Sequence, residues 1–157
     1  MSNSTRATLA LASEGISYNL HSYDYDPGAD GVGLQAAGAL GVEPGRVLKT
    51  LMVKAGRLGA CVIVPSDREV KMKALAAVLG VKAAEMMKPA DAERLTGFNV
   101  GGISPFGQRQ AAATVFEEDA LAFDRVYINA GQRGLLLSID PADAVRVLGA
   151  TVAQISE

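Results

Sequence analysis

The fold is decided by the sequence VLKTLMV at residues 47–53, which is followed by the turn Ala55-Gly56-Arg57 and the run LGACVIVP at residues 58–65. The first run is apolar on both of its alternating faces, a pattern typical of a strand that is covered on both sides. A short turn that contains glycine, placed between two such runs, predicts an antiparallel hairpin. This hairpin carries Lys49 in its first strand.

Shorter patterns on either side of the hairpin predict the remaining elements. Alternating or apolar runs predict further strands at residues 16–23, 113–116, 126–129, 135–139 and 152–155. Periodic segments bounded by caps, Pro and Gly predict helices at residues 5–14, 34–40, 73–79, 89–96 and 141–148. About seven strands and four or five helices predict one α+β domain over residues 1–157, with a mixed, strongly curved, barrel-like sheet.

Composition excludes several classes of protein. The chain has 157 residues, 49% of them hydrophobic, and a single cysteine, Cys61, so it has no internal disulfide framework and no Cys-rich zinc site. Neither a signal peptide nor a long apolar segment is present, so we expect a soluble cytoplasmic protein without a membrane partner. A buried thiol is the expected state of Cys61 in the middle of its strand.

Charge is distributed unevenly along the chain. The net charge is −2, which argues against non-specific binding to nucleic acid, and we expect no DNA partner. Residues 46–109, however, contain eleven Arg and Lys against five Asp and Glu, whereas both flanking segments are acidic. This basic middle third either guides a polyanion to a site or reflects charges dispersed over the surface.

The sequence GGISPFG at residues 101–107 cannot form a regular element. Its glycines permit positive φ or close approach of the backbone, and Pro105 fixes its own φ and pushes Ser104 towards an extended conformation. Such a loop can direct several backbone N–H groups at an anion, a carbonyl oxygen or a developing oxyanion. The alternative is an ordinary tight turn between two elements.

Lys49 admits two interpretations as well. Its stem can pack on the strand while the ammonium group reaches solvent or pairs with a carboxylate. Alternatively, it waits in a pocket for an anionic or carbonyl group.

The residues available for catalysis are few. A Ser-His-Asp or Cys-His unit would need His21, the only histidine, and nothing marks its partner. No metal-ligand spacing and no nucleotide-binding glycine motif is present, so we expect neither a metal nor a cofactor. Catalysis would then use positioning, backbone donors and one cation, which suits an activated acyl ester.

Three motifs resemble one family. VLKTL at residues 47–51, VGGISPFGQ at 100–108 and QRGL at 132–135 are similar to the YbaK family of prolyl-tRNA-synthetase-associated editing domains. The resemblance runs with matching spacing from residue 16 to the last strand and includes HSY at residues 21–23.

The resemblance implies a free-standing deacylase that acts in trans on mischarged tRNA(Pro), with Cys-tRNA(Pro) as its substrate. It implies catalytic roles for Lys49 and Gly101. In the branch that edits cysteine, the thiol of the substrate attacks the ester. The partner is the acceptor end of tRNA(Pro), and a role for prolyl-tRNA synthetase stays open. The substrate-binding residues would be Tyr23, His21, Thr50, Gly102, Ile103, Ser104, Pro105 and Leu136.

Leu136 departs from the family pattern, because that branch tends to have an acidic residue after Arg-Gly-Leu. The specificity therefore stays open between cysteine and another small amino acid such as alanine or serine. Two further hypotheses are a binding module without hydrolytic activity and a hydrolase of free acyl esters.

Overall fold

The computed structural model describes residues 4–28, 31–110 and 112–157. Five α-helices lie in these ranges: α1 (Arg6–Ser13), α2 (Val32–Leu40), α3 (Met72–Leu79), α4 (Pro89–Thr96) and α5 (Pro141–Leu148). Eight strands lie in the same ranges: β1 (Asn19–Ser22), β2 (Leu48–Ala55), β3 (Leu58–Pro65), β4 (Ala84–Met86), β5 (Ala113–Glu117), β6 (Val126–Gln132), β7 (Leu135–Ile139) and β8 (Thr151–Ala153). Short 3₁₀ helices occupy Pro44–Arg46 and Glu118–Ala122.

The strands form two sheets, which corrects the prediction of one barrel-like sheet. A five-stranded sheet has the order β4-β2-β3-β5-β8, and a three-stranded sheet has the order β1-β7-β6. Between the two sheets, the described residues share an isolated parallel bridge, from Val47 to Tyr127, so the strands do not close into a barrel. The mixed α+β class is confirmed, and the eighth strand is β4, which the sequence analysis did not predict.

The predicted hairpin is confirmed as β2 and β3, paired antiparallel from Leu48 opposite Pro65 to Ala55 opposite Leu58. Parallel pairing of β5 with β3 and of β8 with β5 extends the sheet beyond the hairpin. Both faces of the hairpin are covered, as the sequence indicates. One face packs in the larger core with Phe106 and Phe116, and the other packs around Leu75 of α3.

Local sequence explains the ends of α5, which carries the chain into the last strand. The Asp140 side chain caps it by accepting a hydrogen bond from Ala142 N at 2.9 Å, and Pro141 occupies the first helical turn, where a missing N–H costs nothing. Gly149 ends the helix in the left-handed conformation, with φ +59°.

A clasp joins residues 155–157 to the rest of the five-stranded sheet. The fully buried Glu117 carboxylate accepts hydrogen bonds from Ile155 N at 3.0 Å and from Ser156 Oγ at 2.6 Å. Glu157 exchanges two backbone hydrogen bonds with Glu69, at 2.9 and 3.0 Å. The segment that carries Glu69 is therefore held in place by residues that follow β8.

Candidate active site

A cleft of about 450 Å³ opens beside β2, where the edge of the strand is uncovered. The strand β4 pairs only with Val53–Ala55, and Met87 N donates to Met52 O at 3.0 Å. From there back to the bridge at Val47, the described part of the chain places no strand against this edge. Side chains from both faces of β2 therefore reach the cleft.

Six of the ten predicted site residues line this cleft. They are Tyr23, Lys49, Thr50, Gly101, Ile103 and Leu136. Four separate parts of the sequence supply them, so the fold brings together what the sequence analysis grouped by resemblance. The remaining four, His21, Gly102, Ser104 and Pro105, lie outside the lining.

The loop of residues 101–107 is braced from the β6–β7 turn. Arg133 Nε donates to Val100 O at 2.8 Å, and Asn129 Nδ2 donates to Gly101 O at 3.3 Å. These bonds hold the first half of the loop against the three-stranded sheet. The two side chains bond to carbonyl oxygens and occupy no N–H group of the loop.

The second half of the loop is held by its own polar groups and by α1. Ser104 is fully buried, its Oγ accepts from Phe106 N at 3.2 Å, and its carbonyl accepts from Gln108 Nε2 at 3.0 Å. Arg6 Nε donates to the carbonyl of Gly107 at 3.1 Å. Hydrogen bonds therefore brace the loop along its length, and Ser104 and the buried Pro105 shape it from within.

Gly101 and Gly102 differ in what their backbones do. The N–H of Gly102 is used inside the loop, where it donates to Asn99 O at 2.8 Å, whereas within the described residues the N–H of Gly101 has no acceptor. Gly101 has φ +92°, and a Cβ there would lie 2.9 Å from Tyr25 Oη. A Cβ on Gly102 would meet the backbone of the β6–β7 turn at 2.8 Å. Gly101 thus lines the cleft with an N–H that no described residue accepts, and Gly102 permits close packing behind it.

Lys49 lies on the cleft with a loosely placed carboxylate. Its ammonium Nζ is 3.9 Å from Glu69 Oε1, and both residues line the cleft. The lysine side chain is 25% exposed and the glutamate side chain 91% exposed. Water therefore screens the attraction between the two charges, and the ion pair is weak. The carboxylate partner of the first interpretation is therefore present, and the binding of an incoming anion or carbonyl stays a prediction.

Two hydroxyl groups of the cleft are buried without a hydrogen-bond partner. They are Tyr23 Oη and Thr50 Oγ1. Burial, and to a lesser degree the neighbouring Tyr25, raises the pKa of Tyr23 above its usual value, so its hydroxyl keeps its proton and remains a donor. Buried polar groups are nearly always paired, so these two hydroxyls are available to a ligand that enters the cleft.

His21 is engaged outside the cleft. Its Nε2 lies 2.9 Å from Ser138 Oγ, and its ring meets Tyr127 edge-on with the centroids 5.1 Å apart. It is paired with Leu136 in the register of β1 and β7, so it lies beside a cleft residue without reaching the opening itself.

Among the described residues, no hydroxyl at the cleft is hydrogen-bonded to a general base that could activate it. Ser66 lines the cleft, and its Oγ donates to the carbonyl of Pro44 at 2.7 Å. Cys61 is buried, as predicted, and burial raises the pKa of its thiol to about 12. Those residues also contain no group of three or more His, Cys, Asp or Glu side chains that could hold a metal ion. None of the helices described is both long enough and apolar enough to cross a bilayer.

Three residues of this site were not found by sequence reasoning. Asn129 and Arg133 brace the loop, and Glu69 lies opposite Lys49. The motif QRGL at residues 132–135 contained a signal for Arg133, but the contact with the loop spans 33 positions of the chain. Glu69 is an exposed acidic residue in a turn-like segment, and nothing in the sequence distinguishes it.

The sequence of residues 27–147 matches the family model described as the aminoacyl-tRNA editing domain. The chain belongs to this family. The matched segment contains Lys49, the loop of residues 101–107 and the brace residues, whereas Tyr23 and His21 precede it.

Related proteins agree with this assignment. The chain is 32% identical over 121 residues to "Putative Cys-tRNA(Pro)/Cys-tRNA(Cys) deacylase EbsC" of Enterococcus faecalis, covering 76% of this chain and 74% of that protein. It is 26% identical over 110 residues to "Uncharacterized protein YwhH" of Bacillus subtilis, with 69% of each chain covered. A solved structure described as "a putative trans-editing enzyme for prolyl tRNA synthetase" superimposes with a TM-score of 0.86 at 24% identity, covering 97% of this chain and 95% of the other, and this match supports the fold.

Proposed function

We propose that the protein is an aminoacyl-tRNA deacylase that acts in trans and hydrolyses the ester between a mischarged amino acid and the 3′-terminal ribose of tRNA. One observation carries the proposal. The uncovered edge of β2 brings a loosely paired ammonium, a loop N–H without an acceptor and two orphan hydroxyls to one cleft, where no described hydroxyl is bonded to a general base.

The two catalytic residues are Lys49 and Gly101. The ammonium of Lys49 exchanges its weak contact with Glu69 for a phosphate, ribose or carbonyl oxygen of the substrate and contributes positive charge where the ester oxygen becomes negative. The N–H of Gly101 donates to the same developing oxyanion, as backbone donors do in other acyl-transfer sites.

The substrate-binding residues fall into two groups. Tyr23 and Thr50 donate or accept hydrogen bonds through their orphan hydroxyls, and Ile103 packs against the bound aminoacyl group. The second group acts by holding the first in place. Its members are Gly102, Ser104 and Pro105, which shape the loop, and His21, which supports the sheet next to Leu136.

Cys-tRNA(Pro) is the proposed substrate, and its thiol supplies the nucleophile, because no described hydroxyl of the cleft is bonded to a base that would activate it. The substrate sulfur attacks the ester carbonyl, a carbon–sulfur bond forms, and the bond to the ribose oxygen breaks. The thiol proton leaves to solvent and the ribose oxygen gains one, which releases intact tRNA, after which water opens the cysteine thioester. The relative EbsC, named for Cys-tRNA(Pro) and Cys-tRNA(Cys), supports this choice.

Leu136 supports a second candidate, a deacylase for a small amino acid such as alanine or serine. The residue is 4% exposed and packs with Ala36, Ala37 and Val47, so this wall of the cleft is apolar where a carboxylate would bind the α-ammonium or thiol. An apolar wall favours a short aliphatic side chain, for which the attacking nucleophile would be water.

Deacylation assays decide among these functions. The protein would be incubated with tRNA(Pro) charged with Cys, Ala or Ser, and with a free cysteine ester, with and without prolyl-tRNA synthetase. We expect release of the amino acid from tRNA, fastest for cysteine. Preference for Ala-tRNA(Pro) would favour the second candidate. Hydrolysis of the free ester alone would indicate a small-molecule hydrolase. Binding without hydrolysis of any ester would contradict the proposal.

A further inference from the structure

A second depression, which we call the basic groove, adjoins the cleft. It has a volume of about 520 Å³ and lies between the β2–β3 turn, β4 and the start of α4. Met86 and Met87 line both the groove and the cleft, so the two depressions meet at this pair of residues. A chain molecule whose end occupies the cleft can therefore continue into the groove.

The rim of the groove carries cations that lack ion-pair partners. Lys54, Arg57 and Lys88 are exposed, and the described part of the chain places no carboxylate within ion-pair distance of them. A fourth cation, Arg94, is paired with Asp91. Elsewhere in the basic middle third, Arg46 and Arg68 are neutralised by Asp124 and Asp119. Unpaired positive charge is thus present along this groove, where Glu85 is the remaining carboxylate of the lining.

The floor of the groove is apolar. Gly59 lies beneath Leu95 and Met87, and a Cβ on it would come within 2.8 Å of Leu95 Cδ2 and 3.0 Å of Met87 Cε, so the ends of these side chains rest directly on the strand. Leu58 and Met86 are exposed at 75% and 51% beside this floor. An apolar floor with cations along the rim matches a strand of RNA, whose riboses and bases pack while its phosphates contact the cations.

We propose that the basic groove binds the phosphates of the single-stranded 3′ end of the tRNA, with Lys54, Arg57 and Lys88 as the contacting cations. This inference rests on the proposed function, because it is the terminal aminoacylated ribose in the cleft that directs the preceding nucleotides across Met86 and Met87. An acidic protein surface is the competing occupant, and the test distinguishes it.

The experiment compares two variants that lose the same charge. Lys54→Ala/Lys88→Ala removes two lysines from the groove, and Lys71→Ala/Lys73→Ala removes two exposed lysines at the start of α3, outside the groove. The pair is matched, since Lys88 and Lys71 are both N-cap residues whose side chains make no capping hydrogen bond. The probe is a labelled, uncharged RNA hairpin with a single-stranded CCA 3′ end, and its affinity is measured over a range of salt concentrations.

We expect the groove variant to bind the hairpin at least tenfold more weakly at low salt. The slope of log affinity against log salt concentration should become less negative by about 1.4, which corresponds to two lost contacts with single-stranded RNA. The control variant should stay within about twofold of the native protein. Equal losses in the two variants, or no loss in the groove variant, would overturn the proposal.

A second measurement separates this inference from the proposed function. In the groove variant, the fold-decrease in kcat/KM should be at least ten times larger for aminoacyl-tRNA than for a free cysteine ester. This decrease should come mainly from a higher KM. If no ester is hydrolysed by the native protein, the proposed function fails while the binding comparison still decides the groove. A groove variant that binds the hairpin normally but loses a complex with prolyl-tRNA synthetase would overturn the RNA assignment in favour of a protein partner.

Discussion

The two walls of the cleft differ in how fully their polar groups are hydrogen-bonded. In the loop wall, residues 100–107, three carbonyl oxygens accept hydrogen bonds from Arg133, Asn129 and Gln108, and the Ser104 hydroxyl accepts one from a backbone N–H of the loop, so this wall is braced. The wall formed by β2 leaves the hydroxyl of Thr50 unpaired and holds Lys49 by a single long contact. The loop wall can therefore hold a substrate in a defined position, while the β2 wall supplies polar groups that are free to bind it.

The largest effect should come from the loop wall, at Gly101→Ala. A Cβ would strain a backbone at φ +92° and meet Tyr25 Oη at 2.9 Å, which would turn the loop N–H away from the ester. Loss of one such donor costs on the order of 10²–10³ in rate. We expect this loss of deacylation in steady-state assays, with a stability cost of about 1–2 kcal/mol from the strained residue.

Gly80→Ala is the control for strain. Gly80 has φ +72°, and no atom lies within 4 Å of the position that its Cβ would take, so it is strained without touching the cleft. Melting curves of the two variants should be similar. Equal losses of activity in both would show that strain alone explains Gly101→Ala and that the loop N–H has no part in the chemistry.

The next effect belongs to the open wall, at Lys49→Ala. Removing the ammonium should lower kcat/KM for aminoacyl-tRNA by tenfold or more, equivalent to roughly 1.4 kcal/mol of lost transition-state stabilisation. The fold should persist, because the lysine side chain is partly solvated and its ion pair is loose. Lys73→Ala, at an exposed position of α3, serves as the control, and wild-type activity in a folded Lys49→Ala protein would refute the role of the ammonium.

Smaller effects are expected at the orphan hydroxyls, in Tyr23→Phe and Thr50→Val. Each hydroxyl should contribute about 0.5–1.5 kcal/mol when the substrate pairs with it, or about two- to tenfold in kcat/KM. Each variant should be as stable as the native protein or more so, because an unpaired buried hydroxyl is removed. Since the pKa of Tyr23 lies above 10, the pH profile should show no break from it below pH 10. Lower stability together with unchanged activity would assign these hydroxyls to the fold.

The smallest effect on chemistry should follow Cys61→Ser. With a thiol pKa of about 12 and complete burial, Cys61 stays protonated and out of reach of substrate. The variant should unfold more easily by ~1 kcal/mol or more, because a hydroxyl replaces a thiol in an apolar strand, while kcat changes less than twofold. A folded variant without activity would make the thiol a nucleophile and contradict the mechanism in which the substrate attacks itself.

Sequence predicted those parts of the molecule whose signals are local. The hairpin of β2 and β3 followed from two apolar runs and a turn, and α5 followed from Asp140, Pro141 and Gly149. The loop of residues 101–107 followed from its glycines and proline. Each of these signals lies within a short stretch of chain, so the local sequence is sufficient to predict the element.

Features that depend on distant contacts could not be predicted in this way. The strand β4 has three residues, too few for an alternating pattern, and it forms because the edge of β2 at Val53–Ala55 accepts it. The separation into two sheets depends on how β2 meets β6, which no run of residues encodes. The hydrogen bond from Arg133 to Val100 and the position of Glu69 beside Lys49 could not be predicted for the same reason, because each joins residues far apart in the sequence.

The clasp of residues 155–157 has a consequence for the boundaries of the domain. The family match ends at residue 147, yet Glu69, the partner of Lys49, is held by two backbone bonds to Glu157. A chain shortened to the matched segment would also leave the buried Glu117 carboxylate without two of its three donors. Protein engineers who transplant this editing domain should therefore include the segment after β8, since it holds the ion-pair partner of Lys49, a residue more than a hundred positions away.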